Sequence, residues 1–360
     1  MSTAGVHIVA YPYPTAGHII PLLDLTQRLL TRGLTVTVLV TPNNLPLLDP
    51  YLSSHPSSLN HLVLPAPDTS IPPPPQKRHI ANMRALRDLH YPILLRWFQS
   101  HSSPPVAILS DFFLGWTHHL ACELGVPRLV FSPSGAFGMS VAFSLSRDLP
   151  KNDDPENVNF LVSLPRIPNS PVYPWWQVPL HYRNGKEGDP DWEFYKNNTM
   201  ANTESWGFVF NSFTELERVY FEHLKRELGN DRVWAVGPVL PPEQGDLEEQ
   251  GNRGGASSLP CHDVMTWLDS HPANSVVYVC FGSRTVLNNQ LGVGILVGGG
   301  DQNIPKSTEL ARLLEISIVG GRPERVRAKK LSDAALAAVN GGSSDQDLDE
   351  IIKILADYKK

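Results

Sequence analysis

Through Val236, apolar residues along the chain follow two alternating rhythms. Short continuous runs at Val6–Ala10, Leu34–Val40, His61–Leu64, Val106–Leu109 and Arg128–Phe131 predict buried β-strands. Between them, apolar positions three and four apart predict helices over Ile19–Thr31, Ala81–Gln99 and Phe113–Leu124. Strand and helix in alternation predict an α/β fold, a parallel sheet with helices on both faces. The stretch from Tyr11 to Leu30 joins the first strand to the first helix, with Pro12, Pro14 and Gly17 in the turn. Pro21 fits a first helical turn, whose backbone N–H groups lack internal partners. His18 is thereby set at the carboxyl end of a strand, the edge where α/β sheets bind ligands.

Pro72–Pro75 is a polyproline stretch on a long loop. From Pro150 to Arg183 the chain is polar and proline-rich, a loop with Trp175 and Trp176 docked on the body of the domain. The rhythm returns as a strand at Trp206–Phe210, a helix at Glu215–Leu228 and a strand at Val233–Val236. Proline, glycine and charge then mark a linker, which divides the chain into a first domain 1–237, a linker 238–259 and a second domain 260–360. The second domain offers a helix at Val264–Leu268, one strong strand at Ser275–Cys280 ending in Phe281-Gly282-Ser283, and helices at Ser307–Ile316, Pro323–Val339 and Asp345–Tyr358. A parallel sheet buried on both faces needs several strands. The second domain is short of them and is read as incomplete.

Composition narrows the function. The 30 basic and 36 acidic side chains give a net charge of −6 with no basic run, which excludes nucleic acid as an expected partner. No apolar stretch reaches the roughly 18 residues of a membrane span, and the N-terminus carries no cleavable leader pattern. Cys122, Cys261 and Cys280 are odd in number and widely spaced, as in a reduced, cytosolic protein.

His18 has two readings from its place alone, a general base or a residue packed at a helix start. Asp111 ends the fourth strand at the same sheet edge, open both to partnering His18 and to capping the following helix. Asp189-Pro190-Asp191 and Asp347-Leu348-Asp349 imitate metal-binding Asp pairs but follow no predicted strand, and His118 and His119 point about 100° apart on a helix. No metal is expected. Gly292–Gly300 does not open a helix in the dinucleotide pattern, which excludes a nicotinamide-dependent dehydrogenase.

Seven ordered segments carry a family resemblance. They are Pro12-Tyr13-Pro14-Thr15-Ala16-Gly17-His18, the run Leu109–Trp116, Asn211–Glu217, Val236-Gly237-Pro238 with Trp267-Leu268-Asp269, Ser275–Ser283, and Gly321–Arg327. Together they resemble a plant family-1 UDP-glycosyltransferase of the flavonoid, small-molecule branch. One part of the pattern is absent. The donor-binding box that begins Trp-Ala-Pro-Gln and carries His-Cys-Gly-Trp-Asn-Ser does not occur, and the text passes from Gln290, early in the second domain, to Leu291, which resembles sequence found after the box.

The resemblance implies two Rossmann-like domains of the GT-B type, the second incomplete by about a hundred residues. It implies transfer of a hexose, with inversion, from a UDP-sugar to a hydroxyl of a phenolic small molecule. His18 would be the base and Asp111 its brace. Ser283, Gly282 and Ser132 would serve the donor, and Phe112, Phe137, Trp175 and Trp176 the acceptor. The UDP-sugar is a co-substrate, no cofactor or metal is implied, and the protein is expected to be a cytoplasmic monomer. The internal gap at Gln290/Leu291 leaves a rival expectation, a non-catalytic remnant that binds phenolics only.

Overall fold

The computed structural model describes residues 5–68, 74, 77–154, 156–239, 261–272, 275–276, 306–317, 319 and 321–358. They divide into two compact units, Met1–Glu243 with Ala338–Lys360, and Gln244–Ala337.

The first unit is built on nine strands: β1 His7–Tyr11, β2 Thr35–Val40, β3 Leu59–Val63, β4 Ala107–Asp111, β5 Arg128–Ser132, β6 Leu161–Ser163, β7 Val172–Pro174, β8 Gly207–Phe210 and β9 Val233–Ala235. Seven form one sheet in the order β3-β2-β1-β4-β5-β8-β9, and every pairing is parallel. β6 and β7 form a separate antiparallel pair. Because side chains alternate across a strand, each central strand feeds two cores. Val9, Tyr11, Ile108, Val130, Phe208 and Phe210 enter one. Ile8, Ala10, Leu109, Leu129, Phe131 and Val209 enter the other. Burial on both sides explains the near-continuous apolar runs.

The helices of this part are α1 Ala16–Thr31, α2 Asp49–Ser54, α3 Arg78–Ser100, α4 Thr117–Leu124, α5 Ala136–Asp148, α6 Leu180–Arg183, α7 Pro190–Met200 and α8 Thr214–Leu228. α1 begins three residues before the helix expected from Ile19, with Thr15 as an extended N-cap whose carbonyl accepts the His18 and Ile19 N–H groups at 2.9 Å. Pro21 therefore lies in the second turn rather than the first. Its ring nitrogen cannot donate to the Gly17 carbonyl, so the helix is one bond short just below His18.

α5 and α7 were not expected from the pattern, nor was the β6–β7 pair. α7 starts on Asp189, whose side chain accepts the Asp191 and Trp192 N–H groups, with Pro190 at the first helical position. The segment around Trp175 and Trp176 is a short 3-10 turn after β7.

The remaining helices are α9 Cys261–Asp269, α10 Ser307–Ser317, α11 Pro323–Val339 and α12 Ser343–Asp357. α12 departs from the expected domain bounds. It belongs to the first unit, where Leu348, Ile351, Ile352 and Leu355 bury in the core beneath α1. Polar bonds register it: Asp345 and Asp349 accept from Arg32 at 2.8 and 2.7 Å, and Asp347 accepts the Ala235 N–H of edge strand β9 at 2.7 Å. The second unit holds α9, α10 and most of α11, and no strand lies among its described residues. The strand expected at Ser275–Cys280 falls outside the described residues beyond position 276, as do the Gln290/Leu291 junction, most of the linker and the polyproline loop except Pro74.

Candidate active site

The strand order reverses between β1 and β4, the crevice where doubly wound sheets place their ligands. β1 runs out at Tyr11 and hands over to α1, which presents His18 from its first turn. β4 ends on Asp111 itself. The two side chains, 93 residues apart, meet with His18 Nδ1 2.7 Å from Asp111 Oδ2. Asp111 is wholly buried and His18 is 17% exposed. Its second oxygen, Oδ1, accepts the Phe113 N–H at 2.8 Å and caps the 3-10 turn Phe112–Leu114. Both readings of Asp111 therefore hold at once, one on each oxygen. A carboxylate can only accept, so the proton of a neutral His18 sits on Nδ1 and the lone pair on Nε2. An imidazole in that tautomer is equipped to take a proton.

Aromatic rings surround the imidazole. Phe113 stacks on it at 4.7 Å, Phe112 lies at 5.6 Å, and Tyr13 meets it edge-on at 5.6 Å. His79, from the first turn of α3, packs against Phe113 at 4.4 Å and Tyr13 at 5.9 Å. Burial, and then the His18 charge, push the His79 imidazole down to about 4, so it is neutral at physiological pH. Burial, aided by the Asp111 charge, pushes the Tyr13 phenol up to about 12 and keeps it a phenol. The wall thus offers π-faces and neutral polar edges.

Of the residues singled out in the sequence, His18, Asp111 and Phe112 come together. Phe137 is a core residue, 3% exposed and packed on Tyr220 at 4.8 Å, and does not join the rings around His18. Trp175 is half-buried against the same core with Phe160 at 6.4 Å, and Trp176 is anchored through its N–H to the Val158 carbonyl. Neither has a ring contact with His18 among the described residues. Ser132 is fully buried and gives its hydroxyl to the Ser134 carbonyl at 2.9 Å, so it is held locally rather than presented to a phosphate. Ser283 and Gly282 lie outside the described residues. Tyr13, Phe113 and His79 were missed. Tyr13 and Phe113 adjoin residues already singled out, whereas nothing in the pattern marks His79.

The paired Asp motifs are structural. Asp189 caps α7, Asp191 binds Lys77 and Arg84 at 2.8 and 2.9 Å, Asp347 holds β9, and Asp349 binds Arg32. Among the described residues no group of three metal-ligating side chains is gathered, and no helix there is long and apolar enough to cross a membrane.

Fold and site define a class: an α/β protein with a carboxylate-bound histidine at the switch point of a doubly wound sheet, walled by aromatic side chains. No family model matches the chain. UDP-glycosyltransferase 89B2 of Stevia rebaudiana is 53% identical over 294 residues, 79% of this chain and 61% of that protein. Scopoletin glucosyltransferase of Nicotiana tabacum is 30% identical over 344 residues, 91% of this chain and 70% of that protein. Among solved structures, Arabidopsis thaliana UGT89C1 complexed with quercetin aligns with a TM-score of 0.73 at 26% identity, covering 97% of this chain and 99% of that one. The same protein has been crystallised with UDP-L-rhamnose. The chain belongs to the plant family-1 UDP-glycosyltransferases, and its fold class is GT-B. It spans about three fifths of the length of the first curated relatives it matches.

Proposed function

We propose that the chain is built for transfer of a hexose from a UDP-sugar to a hydroxyl of a flavonoid-type phenolic. The observation that carries this reading is the His18–Asp111 bond at the mouth of the aromatic crevice. As the acceptor oxygen attacks the anomeric carbon, its proton passes to His18 Nε2. The new C–O bond forms as the bond to the UDP oxygen breaks, and UDP leaves with that electron pair, inverting the centre. Asp111 fixes the ring and stabilises the imidazolium, and a base so placed contributes about 10²–10⁴-fold in rate. In this reading the protein works in the cytosol as a monomer, needs no metal, and uses the UDP-sugar as co-substrate.

A second reading is favoured by one sequence observation, the absence of the donor-binding box. There the chain binds phenolics in its first unit and transfers nothing, because Ser283 alone cannot supply the roughly 8 kcal/mol of micromolar donor binding. Thermal stabilisation separates the two. A shift with sub-millimolar UDP and with quercetin supports a transferase. A shift with quercetin alone supports the binding protein, and no shift with either overturns both. In a chain given a relative's donor box, His18→Ala is expected to lower turnover about 10²–10⁴-fold. Full activity there refutes the base assignment.

A further inference from the structure

Arg128 opens β5, next to the strand that ends in Asp111, and is 1% exposed. Its guanidinium donates from Nε to Ser110 Oγ at 2.8 Å, and from Nη1 to Asn202 Oδ1 at 2.9 Å and Ser205 Oγ at 2.8 Å. Nη2 donates to the Asp111 and Leu114 carbonyls, both at 3.3 Å. All five acceptors are neutral, and no ion pair to Arg128 exists among the described residues. A buried cation without a paired carboxylate costs stability that hydrogen bonds only partly offset. Burial pushes the guanidinium down to about 9, and the Asp111 charge opposes that, so Arg128 stays charged at neutral pH.

A neutral donor group would meet several of these acceptors without carrying an unpaired charge into the interior. What the charge adds is a field. Asp111 lies on one side of it, with His18 beyond, and Tyr13 and His79 beyond that. On the other side lies His118, whose imidazole is pushed down by burial and then by the Arg128 charge, with exposed Glu204 at 3.5 Å. Glu204 is 67% exposed and solvent-screened. Among the described residues, Asp111 is the buried carboxylate whose charge acts on this cation.

We propose that Arg128 is an electrostatic positioning residue for the dyad: a buried cation, one strand away, that holds Asp111 ionised and lowers the proton affinity of the His18–Asp111 pair. Arg128 also binds the Asp111 and Leu114 carbonyls, so it fixes the turn that aims the carboxylate. This rests on reading His18 as the base, but its test follows protonation rather than transfer.

The experiment is a pH titration of His18 in the ¹⁵N-labelled full chain by long-range ¹H–¹⁵N spectra, with His18→Gln assigning the signal. Arg128→Met removes the charge and keeps much of the stem. It is expected to raise the apparent titration point by about one unit, a tenfold gain in proton affinity. Arg128→Lys keeps the charge and is expected to stay within about 0.3 units of the parent. A rise under about half a unit in folded Arg128→Met overturns the proposal, and so does an equal rise in Arg128→Lys, which assigns the effect to geometry. Should Arg128→Met not fold, Asn202→Asp reads the same quantity. It leaves the guanidinium in place and neutralises it, so the titration point should rise, and no rise there overturns the proposal. A dyad that titrates as expected in a chain that transfers no sugar sinks the functional reading and leaves this one standing.

Discussion

His79 sits in the second position of α3, close to the charge that forms on His18. Its imidazole is held at about 4 in the folded chain and returns to about 6.5 on unfolding. Between those values the unfolded chain binds more protons, so stability rises with pH in that window. The contribution is complete above about 6.5 and is lost as the pH falls toward about 4. Urea titrations at pH 7 and pH 4.5 are expected to show roughly 2 kcal/mol of acid-induced loss in the parent that His79→Gln lacks. Equal losses in both proteins contradict the buried, neutral His79. Asp111 supports a second expectation at this scale. Phe113 N–H holds Oδ1, so Asp111→Asn must turn its amide NH₂ toward His18. The ring then accepts at Nδ1, and its proton moves to Nε2. Imidazole ¹⁵N shifts report that exchange directly, and a tautomer unchanged in the variant contradicts the assigned geometry.

At the scale of elements, the N-terminus of α5 is held by a side chain from α8. Glu217 breaks the helical backbone of α8 with φ −132° and turns a buried carboxylate onto the Ala136 and Phe137 N–H groups at 3.1 and 3.0 Å. Ser212 donates to the same carboxylate. Gly135 leaves the room, since a Cβ there would stand 1.9 Å from Glu217 Oε2. Glu217→Ala strands both N–H groups and is expected to cost about 3 kcal/mol in chemical denaturation. Gly135→Ala is expected to be destabilising by a similar amount, about 2–3 kcal/mol, and a neutral result for it would contradict the close approach.

The same region shows what the sequence could not display. Six of the seven sheet strands were legible because both their faces are buried and their apolar runs are nearly unbroken, whereas edge strand β3, with Asn60, His61 and Val63 exposed, showed only as the shorter run His61–Leu64. α5 was not, because Ala136, Gly138, Ser140, Ala142 and Ser144 blur its period with small residues. α7 was not, because it buries Asn198 and Thr199 beside Trp192 and Tyr195. Asn198 binds the Trp116 N–H and the Phe113 carbonyl, pinning the turn that carries the aromatic wall. Such a helix follows hydrogen bonding rather than hydropathy. His18 and Asp111 were legible as strand-end residues, but their meeting required strand order, which no spacing encodes.

At the scale of the molecule, the first unit closes with the last residues of the chain. α12 lays Leu348, Ile351, Ile352 and Leu355 against the sheet and α1. Ile351→Ala is expected to cost roughly 2–4 kcal/mol. A chain stopped at Ala337 uncovers that whole apolar face, and it is expected to aggregate or to lose the cooperative melt of the first unit. Normal melting of that shortened chain would contradict the division into units. The first unit is thus sequence-discontinuous, with Gln244–Ala337 inserted between its two pieces. During synthesis, one flank of the earliest-made sheet stays uncovered until α12, more than a hundred residues after β9, has been made. A chaperone that shields nascent hydrophobic surface would therefore be held by this protein until α12 emerges, long after the residues around His18 have left the exit tunnel.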